Sequence, residues 1–274
     1  MPLVSIITPT FGRAALLPYC HKFILWQTLH DIEWLVLDDS PTPSAHLMSL
    51  GGAADITYIH STTRMSIGAK RNALIERARG EIIVQFDDDD FYGPDYVRTL
   101  LTAMAEANAD MINLRAWFVY DMRSEFFGYW NLMQRTGLHY VCSPDGVYTV
   151  TLDATNNFGL ADTHLGWSGT SAFKRAVWDT HKFEDLNHNE DGTFGKRVAG
   201  THKFIGIEDR QRHFLHLIHR GTSSQCLAQY SIPPFLMPVV FPRMEELAAR
   251  SSFTSGVASG ERPSRGSLLP NSSS

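Results

Sequence analysis

Only three cysteines, Cys20, Cys142 and Cys226, occur in 274 residues, widely spaced and without a C-x-x-C pair. That pattern excludes a disulfide framework and a cysteine-built zinc site, and it fits a reducing compartment. Charge is sparse as well: charged residues make up 19% of the chain, 29 Asp and Glu outnumber 24 Lys and Arg, and the net charge is −5. With a pI near 6.2 and no basic tract, nothing points to nucleic-acid binding, which leans on clustered Lys and Arg. The N-terminal "MPLVSIITPTFGR" lacks a charged n-region and a cleavage site. It therefore reads as a strand and not as a signal peptide, and the expected location is cytoplasmic. The most apolar late segment, "YSIPPFLMPVVFP", is too short and too rich in proline to span a bilayer as a helix. It reads as a packed loop or an edge cover, with peripheral contact at the inner face of the membrane as the alternative. Internal repeats are absent, and the pattern is silent on oligomeric state.

What is present is 43% apolar residues, enough for one large α/β domain or two small ones. The most informative segment is "EIIVQFDDDDFYGPDYV", in which Asp87 to Asp90 follow an apolar strand-like run and precede a helix start. Adjacent carboxylates repel one another, so a strand end keeps four of them only where something positive neutralises them. Hard carboxylate oxygens suit Mg2+ or Mn2+, shared with the phosphates of a ligand rather than caged by protein alone. A metal-bound nucleotide is the first expectation, and a solvated acidic turn is the plain alternative.

Leu3 to Thr8 is a short apolar run, and Leu16, Leu17, Cys20, Phe23 and Ile24 recur at helical spacing, which predicts a strand followed by a helix. The continuous run Trp34 to Leu37 is that of a parallel strand covered on both faces, and it ends in Asp38 and Asp39. A third strand is predicted at Ile56 to Ile59, a helix at Ile67 to Arg79 with Gly80 at its C-cap, and a fourth strand at Glu81 to Phe86. Pro94 then opens a helix with Val97, Leu100, Leu101 and Met104 along one side. The order β-α-β-β-α-β-α predicts an open, mostly parallel Rossmann-like sheet with helices on both faces and ligands beyond the carboxyl ends of its strands. Both acidic clusters fall at such ends. From about Asp110 the rhythm turns irregular and aromatic, through Trp117, Phe118, Tyr120, Phe126, Phe127, Tyr129, Trp130 and Trp167, which predicts a mixed sheet with an aromatic core and substrate-shaping loops. One domain over residues 1–245 is expected, with a ligand-binding half at 1–108 and a second half at 109–245. The Ser/Gly/Pro-rich stretch 246–274 reads as a disordered tail.

In order, "VSIITPTFGR", "LVLDDS", "GAKRNALIERARGEIIVQFDDDDFYGPDYV", "WSGTSAFKRAVW" and "GIEDRQRHF" resemble the family 2 glycosyltransferases of the GT-A fold, over roughly residues 3 to 220. The resemblance implies an inverting hexosyltransferase that uses a nucleoside diphosphate sugar, with UDP the expected nucleotide, and Mn2+ or Mg2+ as cofactor. Asp87-Asp88-Asp89 stands as the family's D-x-D. By the resemblance Asp89 is the metal ligand and Asp87 or Asp88 holds the donor's ribose or sugar, although neighbouring carboxylates can exchange these roles. A metal bridging two phosphates stabilises the charge that grows on the leaving diphosphate. The segment Thr8-Pro9-Thr10-Phe11, with Arg13 after it, resembles the part that cradles the nucleobase. Here "TFGR" replaces the usual "TYNR", so a hydroxyl and an amide are missing from the base contacts.

Asp39 matches the acid that accepts a hydrogen bond from the base, while Asp38 is a second such acid or a turn former. Arg71 matches the arginine of G-x-x-R-N and pairs with the diphosphate or the acidic run, or stays a surface cation; Lys70 is the weaker candidate. Glu208-Asp209 resembles the E-D pair in which the second acid is the catalytic base, with Glu208 orienting the acceptor. The alternative is a pair that caps a helix through "DRQRHFLHL". On such a helix His213, His216 and His219 drift by about 60° per step and do not converge. Only His219, placed where related transferases carry a histidine near the diphosphate or metal, is a ligand candidate; the other two read as helix-surface or packing residues. Trp167 matches the loop where the acceptor approaches and could stack on a sugar ring, with core packing as the alternative.

The partners implied are a UDP-sugar and a hydroxyl acceptor, whether glycan, lipid-linked or other. A non-catalytic nucleotide-sugar-binding protein is a competing reading, against which the intact Asp89 and Asp209 weigh. A sugar-phosphate nucleotidyltransferase is another, but its glycine-rich signature after the first strand is replaced by "TPTFGR".

Overall fold

The computed structural model describes residues 4–143, 146–156, 160, 162–222 and 225–244; the stretch 246–274 lies outside the described residues. The chain divides into two compact units, Met1–Leu114 with Leu165–Ile207 and Arg115–His164 with Glu208–Ser274. Residues 165–207 return to complete the core of the first unit.

The first unit runs through β1 (Val4–Thr10), α1 (Leu17–Trp26), β2 (Ile32–Asp38), α2 (Ala45–Ser49), β3 (Ile56–His60), α3 (Ile67–Arg77), β4 (Ile82–Gln85), β5 (Phe91–Tyr92), α4 (Tyr96–Ala107) and the start of β6 (Met111–Asp121). Three strands of the second unit intervene, β7 (Phe126–Asn131), β8 (Gly137–Ser143) and β9 (Gly146–Leu152), before β10 (Ser171–Lys174), α5 (Arg175–Thr180), α6 (Glu190–Ala199) and β11 (Phe204–Glu208). The strand order of the first unit is β6-β10-β4-β1-β2-β3. Strand β1 lies parallel to β2 and β4, and β2 parallel to β3, while β10 is antiparallel to both β4 and β6. Ile7, Leu35, Leu37 and Ile83 pack on one face with Leu74 and Ile75 of α3, Val177 and Trp178 of α5, and Phe194 and Val198 of α6. Trp34 points to the opposite face, where His21 of α1 stacks on it at 5.7 Å. Burial on both faces is why these strands read as continuous apolar runs. Each such fully buried side chain contributes about 1.5–3 kcal/mol.

Two local expectations are corrected. Helix α3 stops at Arg77, with Ala78 already extended at the C-cap. The chain leaves the helix early because Glu33 accepts the Arg79 N–H at 2.6 Å and Ser5 Oγ accepts the Gly80 N–H at 2.8 Å. The short α2, capped by Ser44, was not predicted, since five residues are too few to show a helical period.

In the second unit, β12 (Phe214–Ile218), β13 (Cys226–Ala228), β14 (Tyr230–Ile232) and α7 (Met237–Val240) complete the elements. Strand β7 is antiparallel to β6, β14 antiparallel to β7, and β12 parallel to β6, while β13, β8 and β9 form a separate antiparallel sheet. The helix considered for "DRQRHFLHL" is a turn followed by β12, whose five residues are all buried. The period-three spacing of the histidines misled because "FLHLI" is a covered parallel strand: His216 lies within it, His213 before it and His219 just after. Trp117 faces Trp130 at 5.6 Å and Phe214 at 6.0 Å on one side of the sheet, and Phe118, Phe127 and Phe241 cluster on the other. Cys20, Cys142 and Cys226 are buried thiols. Among the described residues no helix is long and apolar enough to cross a membrane.

Candidate functional site

Parallel strands end side by side, so the carboxyl ends of β1, β2 and β4 bring Thr10, Asp38-Asp39 and the Asp87 to Asp90 run to one edge of the first unit. Thr10 Oγ1 donates to Asp88. The Arg13 guanidinium spans the acidic run, reaching Asp88 Oδ1 at 2.7 Å and Asp89 Oδ2 at 2.6 Å. Lys70, rated the weaker candidate from sequence, is buried and donates to Thr10 O and Asp39 Oδ1, both at 2.8 Å. Asp39 also takes Arg64 at 2.7 Å and the Met65 N–H at 2.8 Å. Desolvation would raise the Asp39 pKa, but Lys70, the Met65 amide and Arg64 outweigh it and hold the carboxyl below its ordinary value. The Arg64 guanidinium lies 3.4 Å above the Phe11 ring. Arg64 thus covers both side chains expected to meet the base, and no pattern in the sequence singled it out. Asp38 serves the turn: Ser40 N–H donates to Oδ1 at 2.9 Å and Tyr58 O–H to Oδ2 at 2.8 Å.

The carboxylates of the run outnumber the cations beside them. Desolvation, then the carboxylates of Asp90, Asp89 and Asp88, push the Asp87 pKa up to about 8 against the pull of Arg71. Burial also raises Asp88, opposed by Arg13. Hard oxygen donors with surplus negative charge fit Mg2+ or Mn2+. Among the described residues no three His, Cys, Asp or Glu side chains converge on one point, so such an ion would take its remaining ligands from phosphates and water.

A pH dependence follows. Asp87 keeps its proton in the fold up to about pH 8, whereas the unfolded chain releases it near pH 4. Stability of the metal-free protein is therefore lost as pH rises through that window. Melting in a chelator should fall between about pH 5.5 and 8.5, Mn2+ should restore it at the upper end, and Asp87→Asn should flatten the slope. A parent melting temperature that does not change across this range would refute the assignment.

Arg71 is buried on α3 and donates to Glu190 and to Ser168 Oγ. Glu190 opens α6, and the neighbouring Asp191 accepts the Ser168 N–H at 3.1 Å. The loop Ser168 to Thr170 packs directly on the acidic run: a Cβ on Gly169 would stand 2.5 Å from Asp87 Oδ2. Tyr92 ties the two together, donating to Gly169 O at 2.9 Å while accepting the Asp87 N–H at 2.8 Å. Trp167 is half-buried at φ 65, a left-handed conformation that costs a bulky residue about 1–3 kcal/mol. Thr170 N–H and Oγ1 both donate to the Trp167 carbonyl, at 3.0 and 2.7 Å. Gly68, the glycine of G-x-x-R-N, has no room for a Cβ because the Glu184 carbonyl crosses over it. The reading from sequence missed Glu190 and Asp191; "NEDG" shows an acid pair, but its partner lies 119 positions away.

In the second unit, the Asp209 N–H donates to Ala116 O at 2.9 Å. Its carboxylate clasps the following turn, Oδ1 accepting the His213 N–H at 3.0 Å and Oδ2 the Phe214 N–H at 2.8 Å. Burial raises the Asp209 pKa against these donors, the direction a general base near neutrality needs. The Arg212 N–H also bonds to this carboxylate, so three of its four lone pairs are taken and one is left. Glu208 is 43% exposed and pairs with Arg210 at 3.2 Å. His219 is buried, and its Nδ1 accepts the Gly221 N–H at 3.0 Å. The neutral ring then carries its proton on Nε2, so a ligand role requires that bond to be given up.

The sequence model of the family described as "Glycosyl transferase family 2" matches residues 5–178. A GalNAc(5)-diNAcBac-PP-undecaprenol beta-1,3-glucosyltransferase of Campylobacter jejuni is 29% identical over 113 residues, covering 40% of this chain and 37% of that protein. The chain thus spans less than two fifths of that relative. Staphylococcus aureus TarS 1–349 in complex with UDP-GlcNAc is similar with a TM-score of 0.60 and 16% identity, over 80% of this chain and 59% of that one. Mannosyltransferase PcManGT from Pyrobaculum calidifontis, in complex with GDP-Man and Mn2+, follows with 0.55 and 17%, over 96% and 66%. At these identities the likeness is one of fold, and that fold is GT-A. With its family match running from β1 into α5 and through the acidic run at the end of β4, the chain belongs to glycosyl transferase family 2.

Proposed function

We propose that the protein transfers a hexose from a UDP-sugar to a hydroxyl of a glycan acceptor, with inversion at the anomeric carbon. The observation that supports this most is the buried acidic run, with its surplus negative charge, beside Thr10 and Arg13 at the end of β4. In this reading Arg64 swings aside, Phe11 meets the uracil face and Asp39 accepts its N–H, with Thr8, Pro9 and Arg13 completing the cradle. Asp87 or Asp88 accepts from sugar or ribose hydroxyls. Bound through Asp89, Mg2+ or Mn2+ supplies neutralisation of the charge that grows on the leaving diphosphate. Asp209 takes the proton of the acceptor hydroxyl as it attacks the face opposite the diphosphate, and Glu208 orients that hydroxyl. Arg71, through Ser168 and Glu190, holds the loop whose Trp167 offers its ring to a sugar. His219 is a second candidate toward the diphosphate or metal.

UDP is favoured by analogy with the nucleotide sugar held by TarS. The undecaprenol in the name of the Campylobacter relative extends the proposal to a lipid-linked glycan at the cytoplasmic face of the membrane. Incubating the protein with a panel of nucleotide sugars and Mn2+ should release UDP from at least one of them. No release and no thermal stabilisation by any member would reject the reading, and stabilisation without release would favour a non-catalytic binder.

A further inference from the structure

A row of aromatic rings leads away from Asp209 across the sheet of the second unit. Asp209 is bound through its N–H to Ala116 of β6. On that strand Ala116 stands opposite Asn131 and Phe118 opposite Tyr129 of β7. Tyr129 stands in turn opposite Tyr230 of β14. Directly opposite residues share a face of a sheet, so Phe118, Tyr129 and Tyr230 line one face on three successive strands. Their ring centroids are 5.1 Å and 6.4 Å apart. The inner end is fixed, because Phe241 packs on Phe118 at 5.4 Å. The outer end is open, with Tyr230 54% exposed.

The row is also polar along its rim. Burial, then the carboxylates of Glu208 and Asp209, raise the Tyr129 phenol to about 12, which places the ring within electrostatic reach of both acids. Tyr230 O–H donates to Gln134 Oε1 at 3.4 Å, and Gln229 Nε2 braces the Gln134 and Asn131 carbonyls at 2.9 and 3.0 Å. An edge strand ordinarily protects itself with charge; here it shows an open ring backed by a second one. Flat ring faces bordered by carboxylates and amides match what a pyranose presents, an apolar C–H face and a rim of hydroxyls.

We propose that Tyr129 and Tyr230 form the acceptor platform and that the acceptor is an oligosaccharide of at least two pyranose rings, the reacting ring over Tyr129 and the next over Tyr230. This rests on the transferase reading with Asp209 as base. The test uses di- to tetrasaccharides of glucose, galactose, mannose, rhamnose, N-acetylglucosamine and N-acetylgalactosamine, with binding read by saturation-transfer NMR and titration. At least one oligosaccharide should bind about tenfold tighter than its monosaccharide. Tyr230→Ala should weaken it by about 3–10-fold, while Tyr230→Phe, which keeps the ring and loses the Gln134 bond, should stay within about twofold. Tyr230 is exposed, so both variants should melt with the parent. Absence of binding by every oligosaccharide, equal binding of the monosaccharide, or unchanged affinity in Tyr230→Ala would overturn the platform. UDP release in the same preparations separates the two claims. Release without oligosaccharide binding removes the platform alone, whereas oligosaccharide binding without release from any donor removes the transferase reading and with it the acceptor role, and leaves Tyr129 and Tyr230 as a saccharide-binding surface only.

Discussion

Asp209→Asn should lower transfer by about 10²–10⁴-fold, the span of a positioned general base, while leaving donor affinity unchanged. The substitution removes the proposed proton acceptor and keeps the shape of the side chain. It does not keep every bond. Asp209 accepts the His213 and Phe214 N–H groups on separate oxygens, and an amide NH2 can satisfy neither. One buried N–H is then left facing a donor, at a cost of about 1–3 kcal/mol, or a melting temperature lower by roughly 2–12 °C. Turnover measured by UDP release at saturating donor, well below the variant's melting point, separates lost chemistry from lost structure. Transfer at the parent rate would show that Asp209 only clasps its turn. In the parent the rate should rise with pH toward a plateau, because the base must be ionised and burial raises its pKa.

Arg71→Met should destabilise the first unit by about 3–5 kcal/mol, since removing one member of a buried ion pair leaves the other uncompensated. On a chain of this size that corresponds to a melting temperature lower by roughly 6–20 °C. Glu190 is the stranded partner, as both side chains are buried. Replacing it as well, in Arg71→Met with Glu190→Gln, should recover a large part of the loss, a coupling that the double-mutant cycle measures directly. Arg71→Lys should not rescue, because a single ammonium cannot reach Glu190 and Ser168 with the fork geometry of a guanidinium. Donor affinity should fall in the same variants, as the loop that packs Gly169 on Asp87 loses its tether. A melting temperature within about 2 °C of the parent would mean that the ion pair contributes nothing net.

The strands and most helices were legible in the sequence because each is a short-range pattern. Trp34 to Leu37 reads as a covered strand from its own residues, and Val97 to Met104 reads as a helix from its own spacing. The acidic run stood out for a related reason, since four carboxylates conflict with the apolar strand before them. Roles that depend on a distant partner were not legible. Arg71 offered the diphosphate, the acidic run or a surface position; the pair with Glu190 came only with the fold. Lys70 was underrated because its partner Asp39, at the end of β2, lies 31 positions away in the chain. Arg64 carried no signal at all, and the helix offered as the alternative for "DRQRHFLHL" is a turn followed by a buried strand.

By itself the sequence determined the family, the mostly parallel sheet and the place of the acidic run at a strand end. The family follows from the resemblance of several motifs in order, whereas the sheet and the place of the acidic run follow from periodicity and from the cost of burying charge, both of which act between neighbours in the chain. Only the tertiary structure decided which cation meets which anion, that Trp167 is held left-handed beside Ser168, and that Tyr129 and Tyr230 stand in one row with Phe118. Those outcomes depend on strand register and on ion pairs that join residues 31 to 119 positions apart, distances over which no local pattern carries information.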